Sequence, residues 1–556
     1  MANMFKKSAY ICFFISPILL WLFLYGISIQ FYKNYSYIDI LSGMLLVTTY
    51  SVLRKYIVNK SFFIISQALL FITASLTVMT YAYYSMTTRT YNVTDLFTIC
   101  DGSSEELADF FCDPILHPLI AFYIFMAVLY WLHEYIFFKY LNTATVLGGH
   151  KLPWKTQYIL YCICLVCFIL IAIKGNIIGL RFPRQLLKEY TLLRRQYQAR
   201  QKLFFKERIE IEKYLNGKIT RKDNRPLTII LVLGESATTE KMHSFGYREA
   251  NTPFFSGNKS YSGELVLLKR CFSLDNLTHK TVPKILSNQD YTGEAIHNIF
   301  IYDICRYLNI KTYMISNQVG NFSAYLETAA DYVFFPYKGR RSNESILDKR
   351  TPPDDILLPT FSNVIQKLPS EASNLIVIHL FGSHFPFSKR LPADYSTRLE
   401  RGQLSHEEFE YNKTIEYTDH LLYKIVSFAE KNLKNPFVVC YISDHGEDAT
   451  RKISRGSRDL KGNIPAFFTV PCAFYFSDSF AKYYPEKIHC LTTNKNNVFI
   501  NEHIFDAIMA LFNVETNDRQ ITIPEKNIFS SEYEQSINSL KILDGTYPLR
   551  SIIDIP

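Results

Sequence analysis

The chain has 556 residues with a formal net charge of +9, and only 20% of the residues are charged while 15% are aromatic. This composition excludes wholesale disorder, collagen and a small disulfide-stapled scaffold, and its low charge favours a chain that lies partly in a membrane. The mean hydropathy of +0.01 is too low for membrane residence throughout, so the apolar residues must be distributed unevenly.

Five apolar stretches lie within the first 180 residues. They cover residues 8–27, 37–53, 61–81, 115–138 and 157–180. A helix needs about 20 largely apolar residues to cross a bilayer. The second stretch is the weakest because it is short and includes Asp39. We therefore predict an α-helical membrane domain of about five transmembrane helices over residues 1–180.

Basic residues alternate between the loops that join these stretches. Lys and Arg precede the first stretch and recur between the second and third and between the fourth and fifth, whereas the other two loops hold only Lys33 and Arg89. Because Lys and Arg accumulate in cytoplasmic loops, we expect the N-terminus inside and everything after residue 180 outside.

Residues 181–225 form a strongly basic segment, with 14 Lys or Arg against 5 Asp or Glu. Apolar residues recur in it at helical spacing; they are Leu186, Leu187, Tyr190, Leu193, Tyr197, Phe204, Phe205 and Ile209. We predict a basic amphipathic connecting helix on the outer membrane surface. A solvated helical linker is the alternative.

Residues 226–556 alternate short apolar runs with helical patterns. One run follows Pro226, two begin at Lys311 and Asn374, and the fourth follows Pro436. The apolar residues from Glu407 to Glu430 instead have helical spacing. Continuous apolar runs are typical of strands that are buried on both faces. We predict one large α/β domain with a mostly parallel central sheet.

Three of these runs end in residues that can bind metal or phosphate. Glu235 and Ser236 follow the first, His384 follows the third, and Asp444 and His445 follow the fourth. Ligands of open α/β sheets bind at the carboxyl ends of strands. Each motif alone is weak, since an Asp-His-Gly is often a turn and a Gly-Glu-Ser can be a helix cap. Their conjunction predicts one site.

Glu235, Asp444 and His445 supply two carboxylates and one imidazole. This donor set suits zinc, or less well manganese. Three protein ligands leave a position for a nucleophile, which must come from elsewhere in the chain.

The motifs of the outer domain together resemble those of the phosphoethanolamine transferases of Gram-negative envelopes, members of the alkaline phosphatase and sulfatase superfamily. The motifs are GESATTEKMHSFGY from Gly234 with Asn251-Thr252-Pro253, THKTVP from Thr278, FGSH from Phe381, YNKTIEYTD from Tyr411 and SDHGE from Ser443. The resemblance also covers the layout of spans, connector and outer domain. It implies a multi-pass protein of the bacterial inner membrane whose residues 226–556 form a periplasmic, sulfatase-like catalytic domain.

The resemblance also assigns site residues. It makes Thr278 the nucleophile and a zinc ligand beside Glu235, Asp444 and His445, with Thr281 and Ser236 as rival hydroxyls. The chemistry of such a transfer also gives His384 an expected catalytic role, in binding phosphate or protonating the leaving oxygen. Substrate-binding roles are predicted for His384, Asn412 and Arg455.

One departure from the family concerns a further histidine. Many relatives carry it within some twenty residues after the Asp-His-Gly, but here the next histidine is His489. Arg455, Arg458 or Lys461 is expected to replace this phosphate contact, since a cation can do so.

The resemblance implies phosphatidylethanolamine as donor and lipid A or the lipopolysaccharide core as acceptor, through a covalent phosphothreonine. We expect no nucleic-acid partner. The alternative is transfer of phosphoglycerol, or of phosphoethanolamine to a periplasmic glucan or another envelope glycan. A sulfatase is disfavoured because the outer domain lacks a C/S-x-P-x-R pattern. A non-catalytic membrane sensor is disfavoured because Glu235, Thr278, Asp444 and His445 are all present.

Overall fold

The computed structural model describes most of the outer domain. The described residues are 207–257, 261–289, 295–318, 329–336, 352–449, 465–543, 545 and 547–551. The five predicted membrane spans and residues 181–206 of the connector lie outside them. Within the described ranges, no helix has both the length and the apolar character that crossing a membrane requires.

The strands are short. In chain order they are β1 (Thr220–Arg221), β2 (Thr228–Gly234), β3 (Glu264–Leu268), β4 (Arg270–Phe272), β5 (Lys311–Ser316), β6 (Tyr332–Phe334), β7 (Asn374–His379), β8 (Phe437–Ser443), β9 (Cys472–Phe476), β10 (Val498–Ile500), β11 (Val514–Glu515), β12 (Lys541–Ile542) and β13 (Tyr547–Pro548).

The α-helices vary more in length. In chain order they are α1 (Thr278–Ile285), α2 (Ile301–Tyr307), α3 (Leu357–Gln366), α4 (His406–Asn432), α5 (Asp478–Tyr483), α6 (Pro485–Asn494) and α7 (Ile504–Leu511). Residues 207–215 are also helical. Helix α4 begins with a capping box. The Ser405 side chain accepts from the backbone N–H of Glu408, and the Glu408 carboxylate accepts from the backbone N–H of Ser405.

The central sheet has seven described strands in the order β3-β9-β8-β2-β7-β5-β6. The pairs from β8 through β6 are parallel, whereas β9 is antiparallel to both β8 and β3. The predicted α/β domain with a mostly parallel sheet is confirmed. The antiparallel edge was not predicted.

Alternate residues of β2 enter two different cores. Ile229, Leu231 and Leu233 pack on the side covered by α1, α2 and α7. Ile230 and Val232 pack on the other side, covered by α3 and α4. Helices therefore cover both faces of the sheet, which explains why its central strands are continuously apolar.

The strand register sets the position of the site. Gly234 of β2 lies opposite Ser443 of β8, and Leu233 lies opposite His379 of β7. The three strands thus end at nearly the same level, and the residues that follow them meet at one edge of the sheet.

The described part of the connector differs from the prediction of one helix to residue 225. The helix ends at 215, and β1 pairs with β11 beyond it. Ile211 and Leu215 are buried in the α/β core, whereas Ile209 is 57% exposed. This last part of the connector therefore packs on the domain through Ile211 and Leu215.

Candidate metal and catalytic site

Glu235, Asp444 and His445 form a buried group that could hold a metal ion. Each residue offers one ligand atom, and these atoms all lie within 4.8 Å of one another. His445 Nε2 is 3.3 Å from Glu235 Oε1 and 3.4 Å from Asp444 Oδ2. The fold thus brings together the three residues from which the sequence predicted a metal site.

Backbone contacts fix the orientation of the His445 ring. Its Nδ1 donates to the carbonyl of Gly446 at 2.9 Å, so in the neutral ring Nε2 carries no proton and can coordinate a metal. A side chain at Gly446 has no room, because a Cβ there would lie 1.9 Å from the carbonyl oxygen of Ala466. The loop after β8 therefore needs glycine at this position.

The Asp444 carboxylate is held through one oxygen only. Oδ1 accepts from the backbone N–H of His445 at 2.7 Å and of Ser236 at 3.1 Å. Oδ2 is buried and accepts no hydrogen bond within the described residues. A buried oxygen without a hydrogen bond is costly unless a cation satisfies it. This oxygen, together with the donor set, fits a divalent metal such as zinc.

The electrostatics of the group also fit a cation. Burial and the neighbouring Asp444 raise the pKa of Glu235 above its usual value, while His445 and His384 oppose this rise. Burial likewise raises the pKa of Asp444. Neither carboxylate pairs with a lysine or arginine in the described part of the chain. A metal ion would supply the missing positive charge.

Thr278 places a hydroxyl at the metal group. It is the first residue of α1, and its Oγ1 donates to Glu235 Oε2 at 2.9 Å and lies 3.4 Å from His445 Nε2. Thr281 instead donates to the backbone carbonyls of Leu277 and Thr278. Of these two threonines, only Thr278 thus directs its hydroxyl at a metal ligand, and its side chain is half-buried.

Ser236 also contacts the group, but from a buried position. Its Oγ donates to Glu235 Oε1 at 2.7 Å, and its backbone has a φ of 58°, in the left-handed region. It is almost completely inaccessible. These contacts support Glu235 and leave little access for a substrate.

His384 lies on the loop after β7, and its charge acts on the pKa of Glu235. Its Nδ1 donates to the carbonyl of Phe385 at 2.7 Å, and its ring packs 5.1 Å from that of Phe381. The side chain is half-buried. It is not one of the three residues of the metal group.

The predicted substrate-binding residues fare differently. Asn412 is wholly buried in α4, and its amide donates to the hydroxyl of Tyr247 at 3.0 Å rather than joining the metal group. Arg455 lies outside the described residues, as do Arg458 and Lys461. Their substrate contacts stay predictions.

Gln318 is a site residue that the sequence reasoning missed. Its Nε2 donates to Glu235 Oε2 at 3.3 Å and to the carbonyl of Leu380 at 2.9 Å. It lies just beyond the carboxyl end of β5, so the strand-end rule that identified Glu235 also applied to it. An uncharged amide after a strand simply gives a weaker chemical signal.

Asp354 positions the loop that carries His384. Its carboxylate accepts from the backbone N–H of Phe381 and of Gly382, both at 2.8 Å. Gly382 has a φ of 52°, and a Cβ there would lie 2.6 Å from the carbonyl oxygen of Glu235. Glycine at this position therefore lets the β7 loop approach the metal ligand closely.

Residues 227–514 match the family model described as Sulfatase. Phosphoethanolamine transferase EptA of Helicobacter pylori is 28% identical over 234 residues, covering 39% of this chain and 42% of that protein. The chain spans about half the length of the curated relatives it matches. The resemblance indicated by the motifs is confirmed.

Two solved structures share the fold. The integral membrane lipooligosaccharide phosphoethanolamine transferase A (EptA) of Neisseria meningitidis has a TM-score of 0.58 at 15% identity, covering 95% of this chain and 97% of that one. The C-terminal periplasmic domain of EptC from Escherichia coli, in complex with Zn, has a TM-score of 0.51 at 17% identity, covering 60% of this chain and 97% of that one.

Proposed function

The chain belongs to the sulfatase family, and from this premise we propose that it transfers phosphoethanolamine from phosphatidylethanolamine to lipid A or the lipopolysaccharide core. The observation that carries the proposal is the Thr278 hydroxyl, which lies 2.9 Å from Glu235 within a buried Glu-Asp-His group. Relatives named as phosphoethanolamine transferases support the same activity. The absence of a C/S-x-P-x-R pattern in the outer domain argues against sulfate-ester hydrolysis.

In the first half-reaction, Thr278 Oγ1 forms a bond to phosphorus while the bond from phosphorus to the glycerol oxygen of the donor breaks. Glu235 Oε2 accepts the hydrogen bond of this hydroxyl and is placed to take its proton. His384 gives the departing diacylglycerol oxygen its proton. The product is a phosphoethanolamine ester of Thr278.

Zinc held by Glu235, Asp444, His445 and Thr278 would lower the pKa of the threonine hydroxyl and offset negative charge on the phosphoryl oxygens. The EptC domain solved with Zn supports this choice of metal. The chain's own contribution is a buried, preorganised donor set in which burial strengthens each electrostatic interaction.

In the second half-reaction, an oxygen of the acceptor attacks the same phosphorus. The bond from phosphorus to Thr278 Oγ1 breaks, and the threonine oxygen takes back the proton held by Glu235. His384 receives the proton of the acceptor hydroxyl, which restores both groups to their starting state. A lipooligosaccharide acceptor, as the name of the Neisseria enzyme states for that protein, is compatible with an outward-facing domain anchored in the inner membrane. Donor and acceptor would then meet in one leaflet.

The test is to incubate the purified full-length chain with phosphatidylethanolamine alone and to map the adduct by peptide mass spectrometry. We expect phosphoethanolamine on Thr278 and none in Thr278→Ala, which should abolish both half-reactions and retain the fold. Thr281→Ala is the matched control and should keep the adduct. An adduct on Thr281 or Ser236 would refute the nucleophile assignment.

The acceptor needs a separate measurement. Mass spectrometry of lipopolysaccharide from cells with and without the chain should show a gain of phosphoethanolamine on lipid A or the core. A phosphoglycerol product, or a modified periplasmic glucan with unchanged lipopolysaccharide, would contradict the proposed acceptor.

A further inference from the structure

Helix α4 contacts the residues that follow Glu235 through the side chain of Tyr411. The Tyr411 hydroxyl donates to the carbonyl of Ser236 at 2.7 Å and accepts from the backbone N–H of Thr238 at 3.0 Å. The side chain is wholly buried. One phenol therefore links the two ends of the segment Ser236–Thr238, which directly follows the metal ligand Glu235.

This turn needs such a restraint. Ser236 has a φ of 58°, a conformation that a residue with a side chain adopts only when its surroundings hold it there. The same residue donates its backbone N–H to Asp444 and its hydroxyl to Glu235. The conformation of Ser236 is thus coupled directly to both carboxylates of the metal group.

The same face of α4 also reaches the loop that carries His384. Thr414, one turn after Tyr411, forms a hydrogen bond at 2.8 Å with the hydroxyl of Ser383. The Tyr411 ring packs edge-on at 5.0 Å against Phe387, which follows that loop. One helix face therefore contacts both loops of the site.

We propose that Tyr411 is a positioning residue that holds the Ser236–Thr238 turn and thereby keeps the Glu235 carboxylate in place for the metal and for Thr278. The proposal rests on the proposed function for its link to transfer. Tyr411 acts through the backbone, because both hydrogen-bonding capacities of its hydroxyl are used there. Burial raises the pKa of this phenol well above its usual value, which keeps the donor proton in place.

Tyr411→Phe tests the proposal, since it removes the hydroxyl and keeps the ring. Losing a group that orients a metal ligand typically costs 10–100-fold in metal affinity or activity. We expect zinc affinity, measured by competition with a chelator, to fall about tenfold. The visible spectrum of the cobalt-substituted protein should change, and kcat should fall while KM for phosphatidylethanolamine stays constant.

Tyr475→Phe is the matched control. Tyr475 is also a buried phenol of the α4-side core, and its hydroxyl accepts from the backbone of Gly263 and contacts Glu430, neither of which belongs to the metal group. This variant should keep the zinc affinity, cobalt spectrum and kcat of the parent. Equal changes in the two variants would reduce Tyr411 to ordinary core packing and overturn the proposal.

An unchanged zinc affinity and cobalt spectrum in Tyr411→Phe would also overturn the proposal. So would failure of this variant to fold, judged by circular dichroism, where Tyr475→Phe folds, because the hydroxyl would then serve the fold as a whole. The metal measurements need no substrate. A parent protein that binds zinc but forms no phosphothreonine would therefore refute the proposed function and still leave the role of Tyr411 decided.

Discussion

At the scale of single residues, burial raises the free energy of the ionised form of the two carboxylates of the site. Glu235 and Asp444 are both inaccessible, and burial raises the pKa of each. Asp444 Oδ2 accepts no hydrogen bond within the described part of the chain. A cation between them would remove this cost, so we expect the metal to bind tightly and to depend on both carboxylates.

Asp444→Ala and His384→Ala should separate metal binding from catalysis. Asp444→Ala removes the ligand oxygen and should reduce bound zinc to background. His384→Ala should retain most of the zinc and slow transfer by about 10²–10⁴-fold, the usual contribution of a general acid. Zinc content of the purified proteins by inductively coupled plasma mass spectrometry, with transfer rates in parallel, checks both. Equal zinc loss in the two variants would make His384 a metal ligand.

At the scale of elements, the site depends on which strands are neighbours. Parallel pairing of β2 with β7 and β8 aligns their carboxyl ends, so residues that are distant in sequence meet. The apolar runs predicted these strands well because a strand that is buried on both faces has a continuously apolar sequence. The antiparallel pairing of β9 with β8 and β3 was missed, since strand direction at an edge depends on how distant segments fold back.

A second element-scale feature is the attachment of the connector's end to the domain. Lys218 donates to Asp518 Oδ2 at 2.8 Å, and Tyr214 donates to the same oxygen at 2.7 Å. The hydrogen bond from Lys218 lowers the pKa of Asp518 below the ordinary aspartate value of 3.8. Asp518 therefore links helix 207–215 and the residues after it to the segment that follows β11.

Asp518→Asn should destabilise the outer domain slightly at pH 7 and not at low pH. Because the folded-state pKa is lowered, the carboxylate contributes stability above the unfolded-state pKa of 3.8, and this contribution disappears as the pH falls through the lower folded-state value. Thermal unfolding of variant and parent at pH 7 and at acidic pH checks the sign. Glu515→Gln, which removes an exposed ion pair with Lys222, should change little. A loss that grows on acidification would contradict the assignment.

At the scale of the whole molecule, the sequence predicts a catalytic domain outside a multi-span anchor. The Neisseria protein whose structure resembles that of this chain is an integral membrane protein. Alternation of Lys and Arg between the predicted loops predicts that the N-terminus lies inside. This predicted arrangement would place the metal site on the outer side of the membrane.

Protease treatment of spheroplasts should report this orientation. A C-terminal epitope tag should be removed while an N-terminal tag stays protected, because the five predicted spans would put the two ends on opposite sides. Detergent-permeabilised cells are the control, where both tags should be lost. Protection of the C-terminal tag in intact spheroplasts would rule out the predicted orientation.

The sequence by itself determined the class of the outer domain, its main strands and the three residues of the metal group. These follow from local signals: continuous apolar runs mark strands buried on both faces, and chemically distinctive residues at strand ends mark a site. Glu235, Asp444 and His445 were identifiable because carboxylates and imidazole have few reasons to follow buried strands together.

Only the tertiary structure decided where the three candidate hydroxyls lie and which polar residues support Glu235. Thr278, Thr281 and Ser236 all carry a hydroxyl, so residue type alone does not separate them. They differ in where the hydroxyl lies, which depends on the start of α1 and on the left-handed turn after β2. Tyr411 contacts Ser236 across 175 positions of sequence. Such a contact leaves no local pattern, because it results from the packing of a helix across strand ends rather than from the chemistry of neighbouring residues.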